Sequence, residues 1–90
     1  MVILVKRRGH AENYDNRKVY ASVYSASLNC HLSETQAEEI AERISNDIDV
    51  WVRKKDHITS DYIRDKIIET LKEEGKKDIA LMYKHHLDLS

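Results

Sequence analysis

Apolar positions recur along the chain with two distinct periods. Val2-Ile3-Leu4-Val5 is an unbroken β-branched and aliphatic run that predicts a short strand. Lys6-Arg7-Arg8 leads to Gly9, where a tight reversal requires positive φ, and Ala11 to Tyr14, short and mostly polar, is expected to return as an edge strand with one solvated face. On this reading the hairpin is a cap and not part of the core. Asp15 suits the N-cap of a helix whose apolar positions are Val19, Tyr20, Ala21, Val23 and Ala26, ending near Leu28 or Asn29. Ser33-Glu34-Thr35-Gln36 has the form of a capping box, and Ala37, Ile40, Ala41, Ile44 and Ile48 follow at spacings of three and four. Thr59 or Ser60 caps a third helix with Ile63, Ile67 and Leu71 inward and Tyr62 and Ile68 beside them; Gly75 ends it in the left-handed manner. A last helix carries Ile79, Met82, Tyr83 and either His86 or Leu87. Trp51 to His57 either extends the second helix or forms the loop before the third, and periodicity leaves both open. The expected architecture is mainly α: a β-hairpin cap over residues 1–14 and a four-helix bundle over 15–90.

Ninety residues bury roughly 60–65% of the unfolded surface, enough for one core and not two, so residues 1–90 are read as a single domain. Fifteen Lys and Arg against 16 Asp and Glu leave a formal charge of −1, so no global field steers the chain toward nucleic acid or an anionic membrane, and any anion site must be local. One cysteine, Cys30, forms no internal disulfide. Four apolar residues followed by three cations are too few for a leader, and no apolar run has membrane-spanning length; the expected compartment is the cytoplasm.

Lys6, Arg7 and Arg8 concentrate positive charge beside the amides of the Gly9 turn, a combination that can hold a phosphate, although a basic turn is commonly just a solvated surface. Lys18, on the first turn of the first helix, supplies a second direction of approach. Cys30-His31, His85-His86, His10 and His57 show none of the spacings of a preformed metal site. No catalytic triad order, paired carboxylates or phosphate-loop glycine pattern is present, so no enzymatic chemistry is expected.

Val5-Lys6-Arg7-Arg8-Gly9, then Glu12, then Tyr14-Asp15, then Lys18-Val19 resembles the opening of the ATP-cone domain. Ile58-Thr59-Ser60 resembles that family's segment before its third helix, and Ala80-Leu81-Met82-Tyr83 its Ala-x-x-Tyr. The resemblance implies an allosteric module that senses ATP against dATP, with Mg2+ accompanying the nucleotide, as in ribonucleotide reductase large subunits or the zinc-ribbon repressor of their genes. It implies that Lys6 and Arg7 contact phosphates at the Gly9 turn, that Lys18 approaches from the first helix, and that Val5, Tyr14 and Val19 enclose the adenine. Glu12 and Asp15 would accept hydrogen bonds from the sugar or the exocyclic amine, Asp15 serving equally as an N-cap; Arg64 and Lys84 are further candidate phosphate contacts. The implied partner is another protein or a second copy of the chain, with the stretch from Trp51 to Lys55 as one possible contact.

Two departures stand out: Arg8 occupies a turn position usually acidic in the family, and His85-His86-Leu87 stands where Tyr-Arg is usual. No reductase body or zinc ribbon accompanies these residues, so a free-standing or excised domain is expected. Two other readings remain: a nucleic-acid adaptor using Lys6-Arg7-Arg8 and Arg53-Lys54-Lys55, against which the overall charge argues, and a purely structural helical interaction domain.

Overall fold

The structure, a computed structural model, describes residues 4–7, 10–55 and 57–89. Its elements are β1 (Leu4–Arg7), β2 (His10–Asn13), α1 (Asn16–Asn29), α2 (Glu34–Val52), β3 (His57–Thr59), α3 (Ser60–Glu73) and α4 (Lys77–Leu89). The molecule is mainly helical, as the periodicity predicts.

The starts of α1, α2 and α3 are each fixed by a local cap. Asp15 accepts from the Arg17 amide, Ser33 and Gln36 form a reciprocal capping box, and Thr59 accepts from the Tyr62 amide. At the other end of α3, Gly75 has φ +75°, the left-handed geometry that closes a helix at little steric cost. His31 takes φ +66° just after α1, an uncommon conformation for a non-glycine residue.

α2 is the central helix. Ala37, Ile40, Ala41, Ile44, Ile48 and Val52 line its inward face at helical spacing, and Ile44 and Ile48 are completely buried. α1 packs on α2 and α4, and α3 packs on α4 and α2. Val23, Ala26, Ile67, Leu71, Ile79 and Tyr83 complete the centre of the core. Buried hydroxyls are satisfied within their own helices: Ser27 donates to the Val23 carbonyl at 2.8 Å and Thr70 to the Lys66 carbonyl at 2.7 Å.

Three expectations need correction, and one left open is settled. Ala21 is exposed, because it stands about 200° around α1 from Val19 and Val23, which point inward. Tyr62 is 65% exposed, since Ile63, Ile67, Thr70 and Leu71 already fill the inward face of α3. The segment from Trp51 to His57 is both alternatives in succession: α2 continues to Val52, Arg53 and Lys54 turn, and the chain then enters a strand not anticipated at all.

That strand, β3, makes the sheet three-stranded in the order β2-β1-β3. β1 runs antiparallel to β2 and parallel to β3. The sheet is accordingly not merely a cap, because Val5 and Ile58, paired across β1 and β3, both belong to the core. Lys6 and Arg7, expected at the turn, lie within β1, while Val2, Ile3, Arg8 and Gly9 lie outside the described residues.

Candidate functional site

The sheet has two ends with different chemistry. At one, Arg7 pairs with His10 and Lys6 with both Ala11 and Thr59. Thr59 is also the N-cap of α3, its side chain accepting from the Tyr62 amide at 3.2 Å. β1 therefore carries Lys6 and Arg7 to the N-terminus of a 14-residue helix, where unpaired amides and the positive end of the helix dipole favour an anion. The sequence marks Thr59 as a cap and as part of the Ile58-Thr59-Ser60 resemblance. What makes it a site candidate is its register with Lys6, and no local pattern encodes that.

At the opposite end, Leu4 pairs with Asn13 and His57, and Tyr14 and Asp15 follow. The two ends are three residue steps apart along β1, about 10 Å, a span on the scale of a nucleoside triphosphate. Glu12 lies between them, paired with Val5, and is placed here by its backbone alone, as are Lys6 and Arg7. Gly9, expected at the turn, lies outside the described residues.

Val5 and Val19 are each only 6% exposed and pack with the core, so hairpin-to-helix packing accounts for most of their surface. Tyr14 is half-buried against that core, and its hydroxyl has no hydrogen-bond partner among the described residues. Burial pushes its phenol up to about 12, reinforced by the charges of Asp49 and Asp15 and opposed by Arg53.

Asp15 is engaged at both oxygens. Oδ1 accepts from the Arg17 backbone amide and Nε, and Oδ2 from Arg17 Nη2, all at 3.0 Å. These bonds, the side-chain ones foremost, hold its carboxyl below the usual range. Lys18 is exposed on the first turn of α1, with its backbone amide on the Asp15 carbonyl at 3.1 Å.

Arg64 and Lys84 line a different place, an open depression of about 640 Å³ between α3 and α4. Arg64 is paired with Asp61 at 3.3 Å and Asp65 at 3.5 Å. Lys72, Glu69 and Glu73 line the depression as well, so its cations Arg64, Lys72 and Lys84 face an equal number of carboxylates, Asp65, Glu69 and Glu73. A phosphate gains little there. Near this depression the buried Tyr83 is hydrogen-bonded to Ser22; burial raises its phenol, with Ser22 and Arg64 acting in the opposite direction.

Cys30 is half-buried at the C-cap of α1, and burial, then the charge of Asp78, pushes its thiol up, which makes it a poor nucleophile. Among the described residues no three His, Cys, Asp or Glu side chains gather as a metal site, and no helix is long and apolar enough to cross a membrane.

The described residues thus form a four-helix module with a three-stranded sheet whose first strand brings Lys6 and Arg7 to the N-terminal end of α3. The sequence matches the ATP cone domain over residues 2–86, nearly the whole chain, and the protein belongs to the ATP-cone family. Domains of this family are nucleotide-sensing, non-catalytic regulatory modules with ATP or dATP as effectors. No curated protein matches the chain.

Proposed function

We propose that this protein, residues 1–90 acting as one module, binds ATP or dATP and couples that binding to association with another protein or with a second copy of itself. The observation that carries the reading is the register of β1 against β3, which sets Lys6 beside the N-cap of α3. In this reading Lys6 and Arg7 pair with phosphate oxygens, and the amides of Ser60 and Asp61 add the fixed dipole of α3. Magnesium arrives on the triphosphate, held by phosphate oxygens and water, the habit of a small hard cation.

The base lies toward the other end of the sheet. There Val5 and Val19 form its apolar floor, Tyr14 its wall, and Glu12 and Asp15 accept from the sugar or the exocyclic amine, with Lys18 approaching from α1. Arg64 and Lys84 stand outside this site in our reading, because each shares its depression with neutralising carboxylates. The setting we propose is the cytoplasm, in the control of ribonucleotide reductase or of the transcription of its genes.

Calorimetry with ATP, dATP, GTP and ADP in magnesium, at two salt concentrations, tests this. Adenine-selective binding is expected, and Lys6→Ala combined with Arg7→Ala weakens it by roughly 100-fold, the loss of two charge-assisted contacts, while circular dichroism stays unchanged. Unchanged affinity in the double variant overturns the site. The modest salt dependence expected of an enclosed nucleotide separates this reading from nucleic-acid binding, which loses affinity steeply with salt.

A further inference from the structure

Trp51, the only tryptophan in the chain, lies half-buried near the end of α2 and packs against the core. Two ammonium groups stand over its ring. Lys55 Nζ, from the segment after α2, is 5.5 Å from the ring centroid, and Lys66 Nζ, from α3, is 5.7 Å away. Such contacts are weak at a surface, so they hold the lysines in place without committing them. Arg53 and Lys54 extend the basic run.

Among the described residues the carboxylates engaged by this group are Asp49, 3.0 Å from Arg53, and Glu69, 4.0 Å from Lys66, against the four cations Arg53, Lys54, Lys55 and Lys66. Exposed apolar surface adjoins it: Val50 precedes Trp51 and is 58% exposed, and Tyr62 stands one turn before Lys66 on α3. A large half-buried aromatic ring with two lysine ammonium groups over it is the kind of anchor around which protein interfaces concentrate their affinity.

We propose that Trp51, Lys55 and Lys66 form a docking site for an acidic segment of a partner protein, one in which carboxylates flank an apolar side chain. The carboxylates draw the two ammonium groups off the indole, and the apolar side chain takes their place on the ring. Charge complementarity selects the occupant. A nucleic-acid strand brings phosphates too, but the flanking face of α3 carries the exposed carboxylates of Asp61, Asp65 and Glu69, which repel a continuous polyanion and leave room for a short acidic peptide. The site stands apart from the nucleotide reading and does not depend on it.

Tryptophan emission of the full chain, without nucleotide, provides the test. The probes are a short peptide of glutamates flanking one leucine, the same peptide with glutamines, and single-stranded oligothymidylate. The glutamate peptide is expected to give a saturable change in Trp51 emission, and the glutamine peptide none. Lys55→Gln with Lys66→Gln weakens the glutamate peptide by roughly tenfold or more. Lys55→Gln alone, in an exposed position, repeats the direction of the effect should the double variant fail to fold. The proposal is overturned by a flat emission titration, by equal response to the glutamine peptide, by tighter binding of the oligothymidylate, or by indifference to the lysine substitutions.

Discussion

Around α2, fully buried Ile44 and Ile48 meet a core whose hydroxyls, Ser27 and Thr70, are bonded to carbonyls of their own helices. Among the described side chains of the sheet, Val5 and Ile58 are core members, and the neighbouring Tyr14 hydroxyl is buried with no partner among the described residues. The helical region thus satisfies its buried hydroxyls within its own helices, with Glu74 Oε2 at the end of α3 its one buried side-chain oxygen without a partner among the described residues, whereas the sheet carries cations and helix amides at one end and the orphaned Tyr14 hydroxyl at the other. Such incompletely satisfied polar groups accumulate where a ligand or solvent is to supply partners, and the stability of the molecule resides elsewhere.

The largest test of that division is Ile44→Ala. Removing a completely buried isoleucine leaves a cavity and is expected to cost about 2–5 kcal/mol in denaturant unfolding. Below the transition, nucleotide affinity should remain within roughly twofold, a change of about 0.4 kcal/mol. A large loss of affinity in the folded variant would mean that core and site are not separable.

A pair of caps sharpens the comparison at smaller scale. Ser33→Ala and Thr59→Ala each remove an N-cap acceptor, and each is expected to lower stability by about 1 kcal/mol. Only Thr59→Ala, at the helix end beside Lys6, should also weaken ATP binding in calorimetry. Equal effects on binding from both would remove α3 from the site.

The smallest effect belongs to Tyr14→Phe. Deleting the unpartnered hydroxyl should leave stability at neutral pH unchanged or raise it by up to about 1 kcal/mol. The sign with pH follows from the raised phenol. Below the ordinary value of 10.0 both folded and unfolded states carry the neutral form; between there and about 12 the unfolded chain ionises first, so stability falls as pH rises. Alkaline unfolding followed from pH 9 to 12 should show that loss in the natural chain and a weaker one in the variant.

Most of the helical framework was legible in the residues because its signals are local. Asp15, the Ser33–Gln36 box, Thr59 and Gly75 act within a few positions of themselves, and the inward stripe of α2 repeats every three or four residues. The same locality misled at Ala21 and Tyr62, where apolar character fell on the outward side of a helix whose inner face was already filled. The basic run beside Gly9 was visible too, and so was the family resemblance that the match over residues 2–86 establishes.

The sequence by itself determined four helices, the caps of the first three and the candidate cations. Tertiary structure alone decided β3, a strand of three residues with one core side chain, too short for any period and paired only because β1 lies alongside it. That pairing also sets Lys6 beside Thr59, and the packing of α2 against α3 brings Lys66 over Trp51. Helix caps and stripes are written within one turn of the chain, whereas strand partners and contacts between helices depend on residues distant in sequence, which only the folded chain brings together.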